Sequence, residues 1–552
     1  MTEPTRPLPY PISNSDNLWQ TPGMTSPTAI KTMGAISLPP IRVIPVIVIP
    51  GIMGTNLCAT TDPNKERNRE LTPGEPAWRP PNGAIAGLGE VKKWHGRKPD
   101  QRQRILDPAT LDVDDSGDID LSKMPTVAGF DAAQGRSRWW GEIHWESYGQ
   151  LLYTLEHNLN STFSPAYSQG SWQLQPHWLA VNAWDRRDWN TSSTGLAAPL
   201  TNAEFEKHAG FHFPVYACGY NWLLSNGESA KRLQQRVEDI IQYWSSRKFD
   251  CKQVILITHS MGGLVGRACA KNIPGKIAGI VHGVMPAMGA PVCYRRITYG
   301  TETSSPSKSM VGNEKMVAFA VIAGRTAAET TPVMATAAGP LELLPNHLYR
   351  EPWLFVTTKQ EHAPDRDILQ LPDGNPYDMY RDMKSWYRLI DPALADPANM
   401  HNGDLNAAIL RAIDQAEKFH TKTLDTYYHT NSYVFYGNDF NQRSFGHCRW
   451  VCEVSPAGIS PNDVKNATLA AETPNGARNV AFVRNGTGYF QLSAQQDVAG
   501  DGTVPRDSGA QPSGKVRQIF ATTGYDHQGS YSNGAMLALT QHLIVKIVQE
   551  VA

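Results

Sequence analysis

The sequence predicts an α/β fold in which a doubly wound, mostly parallel sheet carries large cap and lid insertions. Three observations lead to this prediction. Short apolar runs have the length and composition of strands buried on both faces. Amphipathic helical stretches alternate with these runs, which is the pattern of a parallel sheet with right-handed crossovers. One run leads through a tight turn centred on Ser, Thr258-His-Ser-Met-Gly262, directly into a helix start.

The expected core elements follow one another along the chain. The first strand, residues 42–49, enters a glycine-containing loop, Pro50-Gly-Ile-Met-Gly-Thr-Asn-Leu57. The next strand covers residues 213–218. It precedes a helix over 225–247, which Ser225 or Asn226 would cap and whose apolar residues recur at helical spacing. Further strands are expected at residues 254–257, 280–285, 432–436 and 516–521, followed by a last helix over 533–551.

Four segments leave this alternation of strands and helices. Residues 1–40 are rich in Pro, Ser and Thr and predict an irregular N-terminal arm before the core at 41–552. Residues 60–209 predict a cap above the sheet, with one amphipathic helix near 147–159. Residues 293–427 predict a lid, and residues 438–494 a small β excursion. Within the lid, the small apolar stretch 318–338 is expected to be the mobile part, with Gly324 and Gly339 as hinges.

Composition and charge exclude several classes of partner. The 552 residues carry a formal net charge of −1, which gives no electrostatic reason to expect nucleic acid. The N-terminal residues lack the apolar run of a secretory signal peptide, and no stretch reaches the roughly 18 apolar residues of a transmembrane helix. Cys448 and Cys452 form the only close cysteine pair, without the second pair or His cluster of a zinc site. We therefore expect no metal, no cofactor and synthesis in a reducing cytoplasm.

Ser260 is the predicted nucleophile. A strand, a tight turn with Ser at its centre and a helix together make a nucleophile elbow, in which a strained backbone lifts the hydroxyl above the sheet edge. Gly262 gives the helix room to double back over the strand, whereas Thr258 stands where a Gly is usual. This β-branched residue fits only if the neighbouring backbone leaves space. The side chain of His259 is expected to point away from the pocket and to be structural.

A serine hydroxyl needs a base within hydrogen-bond reach, and the base needs an acid that fixes its tautomer. In α/β-hydrolases the acid and then the histidine follow the serine along the chain. Asp501 lies between two glycines in a loop, and His527 lies between the last strand and the last helix. We therefore predict Asp501 as the acid and His527 as the base, with Asp526 and Asp497 as rival acids.

The oxyanion hole is expected to consist of backbone N–H groups aimed at the developing negative charge. One donor should be the N–H of Met261, the residue after the nucleophile. The other should come from the glycine-containing loop after the first strand, at Met53 or Ile52.

With these motifs placed, the chain resembles the lecithin:cholesterol acyltransferase-like branch of the α/β-hydrolases. The resemblance rests on Pro50-Gly-Ile-Met-Gly-Thr-Asn-Leu57, Gly219-Tyr-Asn-Trp222, His259-Ser-Met-Gly262 and Gly500-Asp-Gly-Thr-Val504. Asn221 stands where that family usually has Asp. The insertions at 60–209 and 293–427 look more like those of bacterial esterases and lipases, including antibacterial lipase effectors of type VI secretion. The resemblance implies catalytic roles for Ser260, Asp501 and His527, and it favours Met53 over Ile52.

These features together favour a serine ester hydrolase that acts on lipid, as a phospholipase or lipase, through an acyl-enzyme on Ser260. The alternatives are a lipid acyltransferase, in which an alcohol replaces water, and a catalytically silent hydrolase fold that serves as a binding module. The expected partners are a lipid or phospholipid substrate and, transiently, a membrane surface. The resemblance to effectors adds a secretion apparatus or an immunity protein as partners, and export that needs no signal peptide.

Overall fold

The structure is a computed structural model. It describes residues 40–552 except 123, 125–129, 166–171, 192–194, 306–307, 350–351, 361–363, 454–457, 474–475 and 485, together with four short strands before residue 40. The rest of the predicted N-terminal arm, residues 1–40, lies outside the described residues.

The strands, in chain order, are β1 Thr5–Pro7, β2 Ile12–Ser13, β3 Trp19–Gln20, β4 Met33–Ala35, β5 Val46–Ile49, β6 Leu57–Ala59, β7 Pro76–Trp78, β8 Leu111–Val113, β9 Phe163–Pro165, β10 Trp172–Leu174, β11 Val215–Ala217, β12 Val254–His259, β13 Ile277–Gly283, β14 Leu354–Thr358, β15 Arg366–Leu371, β16 Ser432–Gly437, β17 Asp439–Ser444, β18 Cys448–Cys452, β19 Thr468–Glu472, β20 Arg478–Phe482, β21 Gly486–Leu492, β22 Val498–Gly500 and β23 Gln518–Thr522.

The α-helices, in chain order, are α1 Ala84–His95, α2 Pro99–Ile105, α3 Ala132–Ser137, α4 Trp145–Leu159, α5 Pro176–Ala183, α6 Arg186–Trp189, α7 Asn202–Ala209, α8 Asn226–Ser246, α9 Gly262–Asn272, α10 Val292–Thr298, α11 Met310–Ala323, α12 Ala327–Met334, α13 Ala338–Leu341, α14 Pro376–Arg381, α15 Pro392–Ala395, α16 Leu405–Lys418, α17 Pro461–Lys465, α18 Arg506–Ala510 and α19 Gly534–Val548. Short 3-10 turns lie at Pro108–Thr110, Trp140–Glu142, Pro274–Lys276 and Ser530–Ser532, and a π-helical turn at Phe419–Leu424.

The central sheet has six strands in the order β11-β5-β12-β13-β16-β23. Every neighbouring pair in it is parallel, so the carboxyl ends of all six strands meet at one edge. This confirms the predicted doubly wound α/β-hydrolase sheet. The elbow strand β12 lies in the middle of the sheet, flanked by β5 and β13, and places the residue that follows it at the centre of that edge.

The two faces of the central sheet pack into two separate hydrophobic clusters. Ile47 and Leu256 point to the cluster that holds α8 and α9, whereas their neighbours Val48 and Ile257 point to the cluster that holds α4 and α19. This alternation follows from the two-residue period of a strand, and burial of both faces explains why the strands read as continuous apolar runs. Helix α8 begins after Ser225, whose side chain accepts a hydrogen bond from the N–H of Gly227, one of the two predicted caps.

Helix α4 belongs to the core rather than to a cap above the sheet. Leu151, Leu152 and Leu155 are fully buried in the same cluster as Val46 and Val48 of the central sheet. The expectation that residues 60–209 lie wholly above the sheet is therefore wrong for this helix. Its apolar stripe is long enough to cover a sheet face, and this brings its first turn close to the carboxyl edge of the sheet.

A second sheet joins two of the predicted insertions. Its strand order is β15-β14-β18-β21-β20-β19, so β14 and β15 come from the predicted lid and the other four strands from the predicted β excursion. Strand β14 pairs parallel with β18, and this contact connects segments about 100 residues apart in sequence. Sequence periodicity is local and gives no sign of such a pairing.

The stretch 318–338 is packed more firmly than its composition suggests. Helix α12 buries Ala327, Thr331 and Met334, and the small side chains allow close packing rather than weak packing. At Gly339 an added Cβ would lie 2.2 Å from the carbonyl oxygen of Trp222, so this glycine serves a close contact. A hinge at Gly339 stays a prediction. Gly324, in contrast, has φ +111° and ends α11.

Candidate active site

The Ser260 turn has the backbone conformation that an elbow requires. Ser260 has φ +53°, in the left-handed region that non-glycine residues rarely adopt, and its N–H donates to the carbonyl of Gly283 (2.9 Å). Such strain, on the order of 1–3 kcal/mol, persists only where the surroundings determine the conformation. At Gly262 an added Cβ would lie 2.4 Å from the carbonyl oxygen of Pro50, which explains the need for glycine there.

Gly266 makes room for Thr258. An added Cβ on Gly266, one turn into α9, would lie 2.8 Å from Cγ2 of Thr258. The space that a glycine normally provides on the strand is provided here on the helix. The Thr258 hydroxyl also gains a partner, because its Oγ1 lies 2.8 Å from Nδ1 of the fully buried His282. The departure at Thr258 is thus compatible with an elbow.

The structure brings Ser260, His527 and Asp501 together. Nε2 of His527 lies 2.8 Å from Oγ of Ser260, and Nδ1 of His527 lies 2.8 Å from Oδ2 of Asp501. The other carboxylate oxygen of Asp501 accepts the N–H groups of Thr503 (3.0 Å) and Val504 (2.7 Å). These bonds hold the carboxylate toward the imidazole, as its position in a glycine-flanked turn predicts. All three residues are buried or nearly so.

The two rival acids are engaged elsewhere. Asp526 forms an ion pair with Lys308; burial alone would raise the pKa of Asp526, but this partner holds it below its usual range. Asp497 pairs with His447, whose Nδ1 lies 2.6 Å from Oδ2, and it also accepts the N–H of Gly446 (2.8 Å). Of the three candidate carboxylates, Asp501 is the one that contacts the imidazole of His527.

The loop after β5 lies against the nucleophile. An added Cβ on Gly51 would lie 2.9 Å from Cβ and 3.4 Å from Oγ of Ser260, so only glycine permits this approach. Met53 in the same loop has φ +63°, and its carbonyl accepts the indole N–H of Trp78 (2.8 Å). The loop therefore has a fixed shape next to Ser260.

The predicted oxyanion donors keep their N–H groups available. Within the described part of the chain, no hydrogen bond to the protein occupies the backbone N–H of Met261, Met53 or Ile52. The N–H of Gly51 differs, because it donates to the phenolic oxygen of Tyr148 (2.9 Å). Buried backbone N–H groups normally find partners, so free ones beside a nucleophile suit the binding of a negative charge. Met53 and Ile52 both remain candidates for the second donor.

The side chain of His259 contacts the loop that carries His527 and helix α4. Its Nε2 lies 3.0 Å from the carbonyl oxygen of His527, and its Nδ1 lies 2.8 Å from the hydroxyl of Tyr148. Burial, with the neighbouring His527, lowers the pKa of His259 to about 3, so the ring is neutral. Sequence reasoning missed Tyr148. It lies 111 residues from its partner, on a helix where an aromatic residue is typical of the core.

A helical excursion reaches the rim of the site. We call the described residues between Gly300 (φ +100°) and Gly324, which are 301–305 and 308–324, the 301–324 excursion. Its ends meet where the N–H of Thr301 donates to the carbonyl of Gly324 (2.9 Å). Lys308 pairs with Asp526, the residue before His527. Buried Arg102 holds the far end of α11 through the carbonyls of Val321 (2.6 Å) and Ile322 (2.9 Å).

Among the described residues, no group of three or more His, Cys, Asp or Glu side chains is arranged to hold a metal ion. A search of the same residues finds no helix with the length and hydropathy to cross a membrane. All seven cysteines lie among the described residues and form no disulfide, and Cys448 and Cys452 are both buried in β18.

Comparison with known proteins supports the fold. Residues 185–306, which include the elbow, match the family described as "PGAP1-like alpha/beta domain". A chain in the crystal structure of a Tle4–Tli4 complex superposes with a TM-score of 0.72 at 28% sequence identity, covering 92% of this chain and 98% of that one. The superposition therefore extends beyond the core over most of the residues predicted as cap and lid.

Phospholipase PlaB from Legionella pneumophila is a much weaker match. It covers 56% of this chain and 85% of its own, at 10% identity and a TM-score of 0.14, and such a likeness supports no structural inference. No curated protein sequence matches the chain significantly.

Proposed function

We propose that the chain is a serine ester hydrolase that acts on lipids, as a phospholipase or lipase, through an acyl-enzyme on Ser260. The observation that carries this proposal is the imidazole of His527, which lies 2.8 Å from both the Ser260 hydroxyl and the Asp501 carboxylate. A serine hydroxyl becomes an effective nucleophile only with such a base, and the base needs such an acid.

In the acylation step, Nε2 of His527 accepts the proton of the Ser260 hydroxyl as Oγ attacks the ester carbonyl carbon. Asp501 holds Nδ1–H and stabilises the imidazolium that forms. The carbonyl oxygen becomes an oxyanion that the N–H of Met261, with that of Met53 or Ile52, can bind. His527 then gives its proton to the departing alcohol, and the acyl group remains on Ser260.

Deacylation repeats these roles with water. His527 removes a proton from water, the hydroxide equivalent attacks the acyl carbon, and Ser260 leaves with the proton from His527. Neither step needs a metal or an organic cofactor. An alcohol that took the place of water would give an acyltransferase with the same residues, so product analysis has to distinguish the two reactions.

The surface near the site favours a lipid as the substrate. Helices α1 and α11 pack together. Helix α11 is part of the 301–324 excursion, whose Lys308 pairs with Asp526 next to the catalytic base. Together these helices expose five large apolar side chains: Leu88, Met310, Val311, Val317 and Phe319. Exposed apolar side chains are unfavourable in water and favourable at a lipid surface. We infer transient membrane contact through this face.

The similarity to Tle4 supports a role as an exported effector. Tle4 was crystallised with a second protein, Tli4, and the insertions of this chain resemble those of type VI lipase effectors. We propose that the protein is made in the cytoplasm, leaves through a secretion system that needs no signal peptide, and is held inactive by an immunity protein. Expression directed to the bacterial periplasm should inhibit growth, whereas cytoplasmic expression or periplasmic Ser260→Ala should not.

Incubation with mixed bacterial phospholipids, followed by mass spectrometry of the products, tests the proposed reaction. We expect free fatty acid and lysophospholipid with the wild type, and neither product with Ser260→Ala. Transfer of the acyl group to an added alcohol without release of fatty acid would identify an acyltransferase. No product from folded wild-type protein would favour a binding module.

A further inference from the structure

We propose that Tyr148 and His259 form a positioning pair that fixes two parts of the site relative to each other: the catalytic base and the loop after β5 that carries Ile52 and Met53, called here the oxyanion-binding loop. This inference rests on the proposed function of Ser260 and His527 and adds two residues to their machinery. Neither residue touches the reacting atoms. Tyr148 contacts the loop at Gly51, and His259 contacts the backbone of His527.

Three hydrogen bonds connect the two halves of the site. The N–H of Gly51 lies 2.9 Å from the Tyr148 oxygen, that oxygen lies 2.8 Å from Nδ1 of His259, and Nε2 of His259 lies 3.0 Å from the carbonyl oxygen of His527. This series of hydrogen bonds begins at a backbone N–H, which can only donate, and ends at a carbonyl oxygen, which can only accept. The donor and the acceptor of each bond are therefore fixed.

The fixed direction determines the proton positions. His259 must carry its proton on Nε2 to donate to the His527 carbonyl, which leaves Nδ1 as an acceptor for the Tyr148 hydroxyl. The Tyr148 oxygen then accepts from Gly51. Burial lowers the pKa of His259 and raises that of Tyr148, so both side chains stay neutral and keep this arrangement.

Further contacts from the start of α4 brace the same two loops. The N–H of His144 donates to the carbonyl of Gly54 (3.0 Å) in the oxyanion-binding loop. The hydroxyl of Ser147 accepts the side-chain N–H of Gln528 (2.5 Å), the residue after the base. The first turn of α4 thus contacts loops on both sides of Ser260. Tyr148 is the residue of this turn that is hydrogen-bonded to His259 and, through His259, to the backbone of His527.

Loss of this connection should impair the chemical step more than substrate binding. The oxyanion donors and the imidazole must hold their positions while charge develops, and small misplacements reduce rates by up to about 10²-fold. Tyr148→Phe removes the hydroxyl alone and keeps the aromatic ring in its packed position. We expect kcat for p-nitrophenyl butyrate to fall by about 10- to 100-fold with an unchanged KM.

Tyr531→Phe is the matched control. Its hydroxyl is equally buried and donates to the carbonyl of Thr258 (3.0 Å), but it lies outside the chain of bonds from Gly51 to His527. We expect Tyr531→Phe to change the unfolding temperature about as much as Tyr148→Phe does, with a much smaller loss in kcat. Equal losses in kcat would mean that the site responds to any buried hydroxyl, which would overturn the proposal.

Two amides test the part played by His259. The amide nitrogen of Gln can occupy the position of Nε2 and still donate to the His527 carbonyl, whereas that of Asn corresponds to Nδ1 and cannot reach it. We expect His259→Gln to retain at least about 10-fold more kcat than His259→Asn, although both alter the packing. Equal kcat values, or values ordered only by stability, would overturn the proposal.

NMR of ¹⁵N-labelled histidine gives a readout that does not depend on turnover. Wild-type His259 should show a protonated Nε2 and an unprotonated Nδ1 at pH 7, with the signal assigned by its loss in His259→Gln. The opposite tautomer or a charged ring would overturn the proposal. Wild-type protein without esterase activity would overturn the proposed function, and the inference with it. An active wild type with full activity in Tyr148→Phe would overturn this inference alone.

Discussion

The imidazole of His527 lies 2.8 Å from the hydroxyl of Ser260, although 267 residues separate the two positions in the sequence. The contact forms because β12 and the loop after β23 end at the same edge of a parallel sheet.

We expect Ser260→Ala and His527→Ala each to lower ester hydrolysis by about 10⁴-fold or more. The two residues act as one unit, so the double variant should be scarcely slower than either single one. Steady-state kinetics with circular dichroism as a check on folding measures this, and additive losses would contradict it.

The choice of acid gives a second prediction. Asp501→Asn should reduce kcat by about 10³- to 10⁴-fold, because an amide can hold the imidazole in the wrong tautomer. Asp526→Asn is the matched control, since Asp526 is the next residue to His527 but bonds to Lys308. It should reduce kcat by less than about 10-fold. A larger effect at Asp526 than at Asp501 would show that the acid is assigned to the wrong carboxylate.

The Thr258–Gly266 contact gives a prediction about stability. Gly266→Ala places a methyl group 2.8 Å from Cγ2 of Thr258 and should destabilise the protein by about 1–3 kcal/mol. Thr258→Ser removes Cγ2 but keeps the hydroxyl that pairs with His282. In that background Gly266→Ala should be nearly neutral, because Ala favours a helix over Gly. Urea unfolding of the four proteins measures the coupling, and strictly additive effects would exclude this account of the elbow.

The 301–324 excursion is expected to control access to Ser260. Lys308→Met removes the ion pair with Asp526 and should raise hydrolysis of monomeric p-nitrophenyl butyrate several-fold, because the excursion then opens more often. Lys315→Met, on the exposed side of α11, should leave the rate unchanged. With a short-chain phospholipid the wild-type rate should increase sharply at the critical micelle concentration. Equal rates for both variants, and smooth saturation without a break, would argue against an opening step.

Buried histidines predict a loss of stability in acid. Burial, with the nearby charges of Arg186 and Lys546, lowers the pKa of His542 to about 3, and neither ring nitrogen has a partner among the described residues. The unfolded chain binds a proton at this position below about pH 6.5, whereas the folded chain does so only near pH 3. Stability is therefore lost as the pH falls through this window.

His542→Leu removes one such proton uptake without the loss of a hydrogen bond. The slope of the free energy of unfolding against pH should then be smaller in the variant than in the wild type, by up to about 1.4 kcal/mol per pH unit. Urea unfolding between pH 4 and pH 6.5 measures this difference. If the variant and the wild type show the same slope, His542 is not a buried neutral group.

The sequence was sufficient for the parts of the site that depend on local order. A strand, a turn and a helix around Ser260 are continuous in sequence, and the chain order of Asp501 and His527 fixes which strand ends they follow. The pairing of β14 with β18 and the contact between Tyr148 and His259 join distant segments, so no local periodicity indicates them. The close packing of 318–338 is not predictable in this way, because small side chains can indicate either mobility or close contact.

Labelling with a fluorophosphonate tests the central claim most directly, because this probe reacts only with a serine that a neighbouring base activates. We predict that folded wild-type protein gains one phosphonyl group and that peptide mass spectrometry places it on Ser260. Ser260→Ala should not be labelled, and His527→Ala should be labelled at least about 10³-fold more slowly. Folded wild-type protein that is not labelled, or labelling that persists in Ser260→Ala, would contradict the assignment of Ser260 as the nucleophile.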